Sequence, residues 1–103
     1  MAEAILRDFY LGFIRIHILF HAGRAPVYGA ELMKELARHG YTVGPGTLYP
    51  MLHALEIKGL LSSHKEVVGG KARRYYSLTQ QGERVLKGAR KQAAELINEI
   101  NEE

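Results

Sequence analysis

The stretch "GPGTLYPMLHALE" at residues 44–56 decides the fold. From Met51 onward it is good helical material, yet it opens with two glycines and two prolines, residues that weaken a helix interior. If Gly44 is the cap, Pro45 falls at the first helical position, where its absent N–H would have had no partner and its fixed φ is already helical. Gly46 and Thr47 then keep the first turn slim, and its unsatisfied backbone N–H groups are free to meet a phosphate oxygen. Pro50 lies inside the helix and removes one backbone hydrogen bond near the start. It either tolerates a loose first turn or sets the aim of Thr47 and Tyr49. Such a helix has an end built to touch something.

Behind that end, Leu48, Leu52 and Leu55 share a face with Met51 beside them, while Tyr49, His53, Ala54 and Lys58 look elsewhere. Gly59 closes the helix. Upstream, "YGAELMKELAR" at 28–38 puts Leu32, Met33 and Leu36 on one side and Glu31, Lys34, Glu35 and Arg38 on the other, which predicts a short amphipathic helix. Gly40 sits where a left-handed residue would end it. Downstream, "LLSSHKEVV" and "ARRYYSLT" flank a "GGK" turn and predict a β-hairpin. Two short helices with a tight turn, then a hairpin, make the winged helix-turn-helix arrangement. Its second motif helix enters the major groove of DNA and its hairpin lies along the backbone.

At the N-terminal side, Ile5, Phe9, Phe13, Ile16 and Phe20 recur at steps of three and four and predict a first helix over 3–21, ended by "HAGRAP". Leu6, Ile14, Ile18 and Leu19 make it apolar on more than one face, as burial on two sides requires. Thr79 reads as the N-cap of a last helix that carries Val85, Ala89, Leu96 and Ile100, with Leu86, Ala93 and Ile97 alongside. No later segment of the chain can cover that helix, so its apolar side must find the first helix, a second subunit, or both. A homodimer is therefore expected. Its interface would be formed by Phe9, Phe13, Ile16, Phe20, Leu86, Ala89, Ala93, Leu96, Ile97 and Ile100. The expected fold class is mainly α with a small β-hairpin, one domain over 1–103 divided into a winged helix-turn-helix at 1–78 and a C-terminal dimerisation helix at 79–103.

The totals fit this reading. Of 103 residues, 47% are hydrophobic and 24% charged, an ordinary globular balance. The net charge of +3 permits nucleic acid without requiring it, but its distribution is uneven. Lys58, Lys65, Lys71, Arg73 and Arg74 face the single acid Glu66, on the hairpin that would flank a groove, so phosphate binding is favoured there over a merely solvated face. The acidic tail of Glu95, Glu99, Glu102 and Glu103 points away from DNA.

Several function classes drop out. The chain has no cysteine, hence no disulfide, thiolate nucleophile or cysteine-ligated zinc. It has no nucleotide-binding loop, no serine constellation and no paired carboxylates off exposed helix faces, so neither an enzyme nor a cofactor is expected. His17 and His21 are four apart and can share a helix face. Without a carboxylate at a matching position they read as core or interface imidazoles rather than a metal site, and no metal is expected. The most apolar stretch, "FYLGFIRIHILF", is too short for a bilayer and carries Arg15 and His17; no signal peptide is recognisable. A cytoplasmic protein with no membrane partner is expected.

"GTLYPMLHALEIKGLL" followed by "KARRYYSLTQQG" resembles the PadR family of bacterial and archaeal transcriptional regulators, and "YGAELMKEL" matches that family's second helix loosely. The resemblance runs from about Val27 to Gly82, and the single last helix is similar to the family's shorter branch. It implies a winged helix-turn-helix dimer that binds a pseudo-palindromic operator, usually as a repressor, with each C-terminal helix packed on the partner's N-terminal helix. Carried over by position, Thr47, Tyr49, Pro50 and His53 form the recognition segment and Lys71, Arg73 and Arg74 belong to the wing. Tyr28, Gly46 and Lys58 complete the expected DNA-binding set. Two positions depart from the pattern: family members often have a basic residue in place of Ala54 and a polar one in place of Ile57. Weakened base readout leaves a winged-helix protein–protein adaptor as the alternative. Phe9, Phe13 and Phe20 either complete a packed core, the favoured reading, or line a cavity for a small planar aromatic inducer.

Overall fold

In the computed structural model, which describes residues 2–102, the first helix α1 spans Ala2–Arg24. It outlasts the expected end at 21 because Ala22 is buried in the core, and because Pro26, which turns the residue before it away from helix, is the first residue to forbid continuation. There follow β1 Val27–Tyr28, α2 Gly29–Arg38, α3 Pro45–Ile57, β2 Leu61–Val68, β3 Lys71–Leu78 and α4 Gln80–Ile100. Tyr28 is thus not helical, as expected from sequence, but an extended residue (φ −112°, ψ 163°) that caps α2. The two-residue strand β1 is too short to show alternation in sequence. It exists because Val27 and Tyr28 pair antiparallel with Tyr76 and Tyr75, which turns the expected hairpin into a three-stranded sheet of order β1-β3-β2.

The hairpin register pairs Val68 with Lys71, so the turn is Gly69-Gly70 and Lys71 opens β3 instead of sitting in the turn. Both glycines have positive φ (58° and 80°), the backbone that a two-residue hairpin turn matched to strand twist demands. Gly40 and Gly59, at φ 92° and 79°, end α2 and α3 alike. The Tyr41 N–H donates to the Leu36 carbonyl (2.9 Å) and the Gly40 N–H to that of Ala37 (3.1 Å). At the second site the Leu60 N–H donates to Leu55 (3.0 Å) and the Gly59 N–H to Glu56 (2.9 Å). This paired closure satisfies carbonyls that a helix end leaves open.

Ile18 of α1, Leu32 and Leu36 of α2, and Leu48 and Leu52 of α3 are wholly buried, joined by Leu61 of β2 and Tyr76 of β3. Each such aliphatic side chain contributes roughly 1.5–3 kcal/mol by leaving water, so α3 is held by its Leu48–Leu52 face and its opposite side is left outward. α4 begins where Thr79 joins two elements: its Oγ1 accepts from the Gly82 N–H (3.0 Å) and donates to the Gly59 carbonyl (2.6 Å). Gly82 is buried, and a Cβ there would collide with the Leu60 carbonyl oxygen. Beyond Leu86, which packs half-buried on the core, α4 emerges into solvent and gives the molecule its long 55 Å axis.

Candidate nucleic-acid interface

α3 starts as its residues dictate. Gly44 is the N-cap (φ −92°, ψ 171°), Pro45 the first helical residue, and no side chain caps the end. The free donors are fewer than the sequence suggests. Pro45 has none, and the Thr47 and Leu48 N–H groups both turn back to the Gly44 carbonyl, at 3.2 and 3.0 Å. Among the described residues this leaves the Gly46 N–H as the unpaired donor of the first turn. Gly46, Pro50, His53 and Ile57 then form the outward stripe of α3, all exposed, with Tyr49 on one flank and Ala54 and Lys58 on the other. Thr47 is half-buried instead, lining a cleft with Leu6 and Tyr10 of α1.

Tyr49 packs against a neighbouring helix while staying open to solvent. It is 46% exposed, yet its ring lies over the first residue of α2: a Cβ on Gly29 would stand 2.5 Å from the Tyr49 hydroxyl. Gly29 is therefore what lets α3 and α2 close together there. The sequence signal was the glycine following Tyr28, visible only once the ring above it is placed.

The wing distributes its cations by strand alternation. Lys65 and Arg74 are cross-strand partners on the face that carries Tyr76 and Leu61 to the core; Lys71 and Arg73 lie on the other face with His64 and Tyr75. Arg74 donates to the Ser63 hydroxyl (3.0 Å), and that hydroxyl donates to the Glu56 carboxylate of α3 (2.6 Å), so the base of the wing is fastened to the recognition helix. Arg73 is held on the other face, its guanidinium 4.4 Å from the centre of the Tyr28 ring. Its hydrogen bond with Tyr75 raises its pKa. Tyr28 meets Tyr75 edge to face, and Tyr75 stacks on His64, with ring centres 5.4 and 5.7 Å apart. Glu66, the one acid of the wing, is engaged by His64 at 2.8 Å.

The residues expected at a dimer interface divide. Phe9, Phe13, Phe20, Leu96, Ile97 and Ile100 are exposed large apolar side chains; Ile16, Leu86 and Ala89 are half-buried within the chain, and Ala93 is exposed. The three phenylalanines are thus not packed into a core of the single chain. Beside them lies a group that sequence reasoning saw only in part: His17 and His21 do share a face of α1, and His39, the C-cap of α2, comes to meet them. Burial first, then the charge of His39 and His21, lowers the His17 pKa; burial also lowers that of His21, against the opposing pull of Glu35.

A model of the transcriptional regulator PadR-like family matches residues 18–88. Among curated relatives, the chain is 50% identical over 95 residues to transcriptional regulator Rv3488 of Mycobacterium tuberculosis, covering 92% of this chain and 89% of that protein. Among solved structures, it is similar to a PadR family transcriptional regulator from Eggerthella lenta, with a TM-score of 0.84 and 34% identity over 98% of this chain and 89% of the other. A PadR-like transcriptional regulator from Bacillus cereus superposes with a TM-score of 0.81 at 28% identity, covering 88% and 90% of the two chains. With the family model spanning most of the core, both helices of the motif and the whole wing, the chain belongs to the PadR-like family of transcriptional regulators.

Proposed function

We propose that this regulator is a repressor that binds, as a homodimer, a two-fold symmetric DNA operator. The observation that carries the reading is the junction of α3 and the wing. An outward stripe of Gly46, Pro50 and His53, flanked by Tyr49, adjoins a basic wing whose Arg74 is tied to α3 through Ser63 and Glu56 and whose Arg73 is seated on Tyr28. Such an arrangement offers phosphate contacts from Lys58, Lys71, Arg73 and Arg74 around a helix that reaches base edges. Half-buried Thr47 contributes from the side, through the placement of the first turn. Base readout falls chiefly to Tyr49 and His53.

The homodimer is supported by what the single chain leaves uncovered. Phe9 and Phe13 of α1 and Leu96, Ile97 and Ile100 of α4 are each about half exposed, between 48% and 57%. Exposed large apolar side chains of this kind mark an interaction face, and a two-fold arrangement pairs each α4 with the partner's α1. In this reading residues 79–103 are the dimerisation segment, of which Gln80–Ile100 is helical. A second reading, a protein–protein adaptor, is favoured by one observation: Ile57, at 72% exposure, is an apolar residue in the stripe that faces DNA.

Selection of duplexes from a random pool separates the two. Enrichment of a two-fold symmetric motif with half-sites about one helical turn apart is expected for the repressor; recovery of no motif would favour the adaptor.

A further inference from the structure

The histidine group lies apart from the DNA-facing surface. His17 and His21 stand one turn apart on α1, and His39 arrives from the end of α2, so that one ligand nitrogen from each lies within 4.8 Å of the other two. The rings are arranged side by side: His17 stacks on His39 with centres 4.8 Å apart and on His21 at 6.1 Å. The Nε2 atom of His21 is fully buried and has no hydrogen-bond partner among the described residues. A buried polar atom without a partner is rare and asks for one.

We propose that His17, His21 and His39 form a binding site for a divalent transition-metal ion of the zinc type. Three imidazole nitrogens are the donor set that such borderline ions prefer, whereas calcium and magnesium require oxygen. With metal–nitrogen distances of about 2.0–2.1 Å, tetrahedral ligand atoms stand roughly 3.4 Å apart. The nitrogens, within 4.8 Å of one another, stand little more than an ångström from that closure. The fourth position opens into a cavity of about 490 Å³ between α1, α4 and the α2–α3 turn, where Phe13, Phe20, Tyr41 and Arg90 complete the wall and leave room for water. Glu35 acts electrostatically on His21 and supplies negative charge outside the ligand set, opposing Arg24 and Arg38.

The position of His39 gives the site a consequence. It is the last residue of the α2 cap, directly before Gly40, so a metal bond from α1 to His39 clamps the turn that aims α3.

The test is calorimetric titration of the whole protein with Zn²⁺, repeated with Co²⁺ read by its visible absorption. One ion per chain is expected. His21→Ala and His39→Ala are expected to weaken binding by more than about 100-fold, the upper end of what losing even an outer partner of a ligand costs. His64→Ala, in the wing, is expected to leave it unchanged. His39 is exposed, so its variant retains the fold, which an unaltered unfolding temperature without metal verifies. Absence of binding, or binding to His39→Ala as tight as to the parent protein, overturns the site. Its regulatory use rests on the proposed function and is read separately, as operator affinity with and without Zn²⁺. A change on the order of 5-fold or more that disappears in His39→Ala is expected; equal affinities would overturn the regulatory use while the titration still decides the site.

Discussion

Gly82 shows how a single residue sets the geometry between elements. Its missing Cβ lets the first turn of α4 rest on the Leu60 carbonyl, and a methyl group there would also stand 2.6 Å from Leu78 Cδ1. Gly82→Ala is therefore expected to cost about 1–3 kcal/mol in urea unfolding, the ordinary range for overpacking. Gly88→Ala in the same helix, where nothing lies within 4 Å, is expected to gain about 0.4–1 kcal/mol instead. Tyr76 offers a test through pH. Burial, and then the Glu56 carboxylate, raise its pKa above the ordinary 10.0 in the folded protein. The neutral phenol is thus favoured by folding, so its stabilisation is fully present below pH 10 and is lost as the pH rises through the folded value. Thermal unfolding of Tyr76→Phe should accordingly show a shallower decline above pH 10 than the parent protein; parallel curves would mean that Tyr76 does not titrate with unfolding. The sequence marked Gly82 as the last residue of "KARRYYSLTQQG", and Thr79 as a cap, but not the reason for either. The collision partner, Leu60, belongs to a different element and only the fold brings it there.

The elements were legible to different degrees, for physical reasons. Helix α3 was readable in full because Gly44, Pro45 and Gly59 act locally, each through its own backbone preferences. Strand β1 was not, since two residues carry no period and their extended conformation comes from partners in β3. The resemblance put Thr47 in the recognition segment, whereas its place next to Met51 on the helix turns it toward α1. His39 was missed because the pattern of residues that meets His17 and His21 is formed by helix packing, which no local spacing announces. For the wing, alternation along β3 sends Arg73 and Arg74 to opposite faces, and the two are expected to act differently. Each alanine substitution should flatten the salt dependence of operator affinity by about one unit if its phosphate contact is lost. Arg74→Ala should in addition loosen the wing from α3, because it removes the donor to Ser63. An unchanged salt slope in the double variant would take the wing off the DNA surface. Gly70→Ala, forced to a positive φ of 80°, is expected to cost about 1–2 kcal/mol and weaken operator binding through the wing tip.

Across the whole molecule, the uncovered aromatic surface lies away from the wing, although Ile57 and Val67 are also exposed apolar residues. The cations of the wing and the outward stripe of α3 occupy one region, while the uncovered phenylalanines of α1 and the aliphatic residues of α4 occupy another. In the proposed homodimer, two chains joined along α1 and α4 would cover the second region and turn the first into a pair of reading surfaces. Replacing Leu96 and Ile100 with glutamate should dissociate the pair without unfolding the winged domain, whose core contains neither residue. Operator affinity should fall with it, since each chain would then bind a half-site alone and lose the gain of linked contacts. Circular dichroism that retained its helical signal while affinity fell would separate loss of pairing from loss of fold. The most direct test of the account is sedimentation equilibrium of the purified protein at micromolar concentration. A mass twice that of the 11.6 kDa chain is expected, reverting to the single mass in the glutamate variant; a single-chain mass for the parent protein would contradict it.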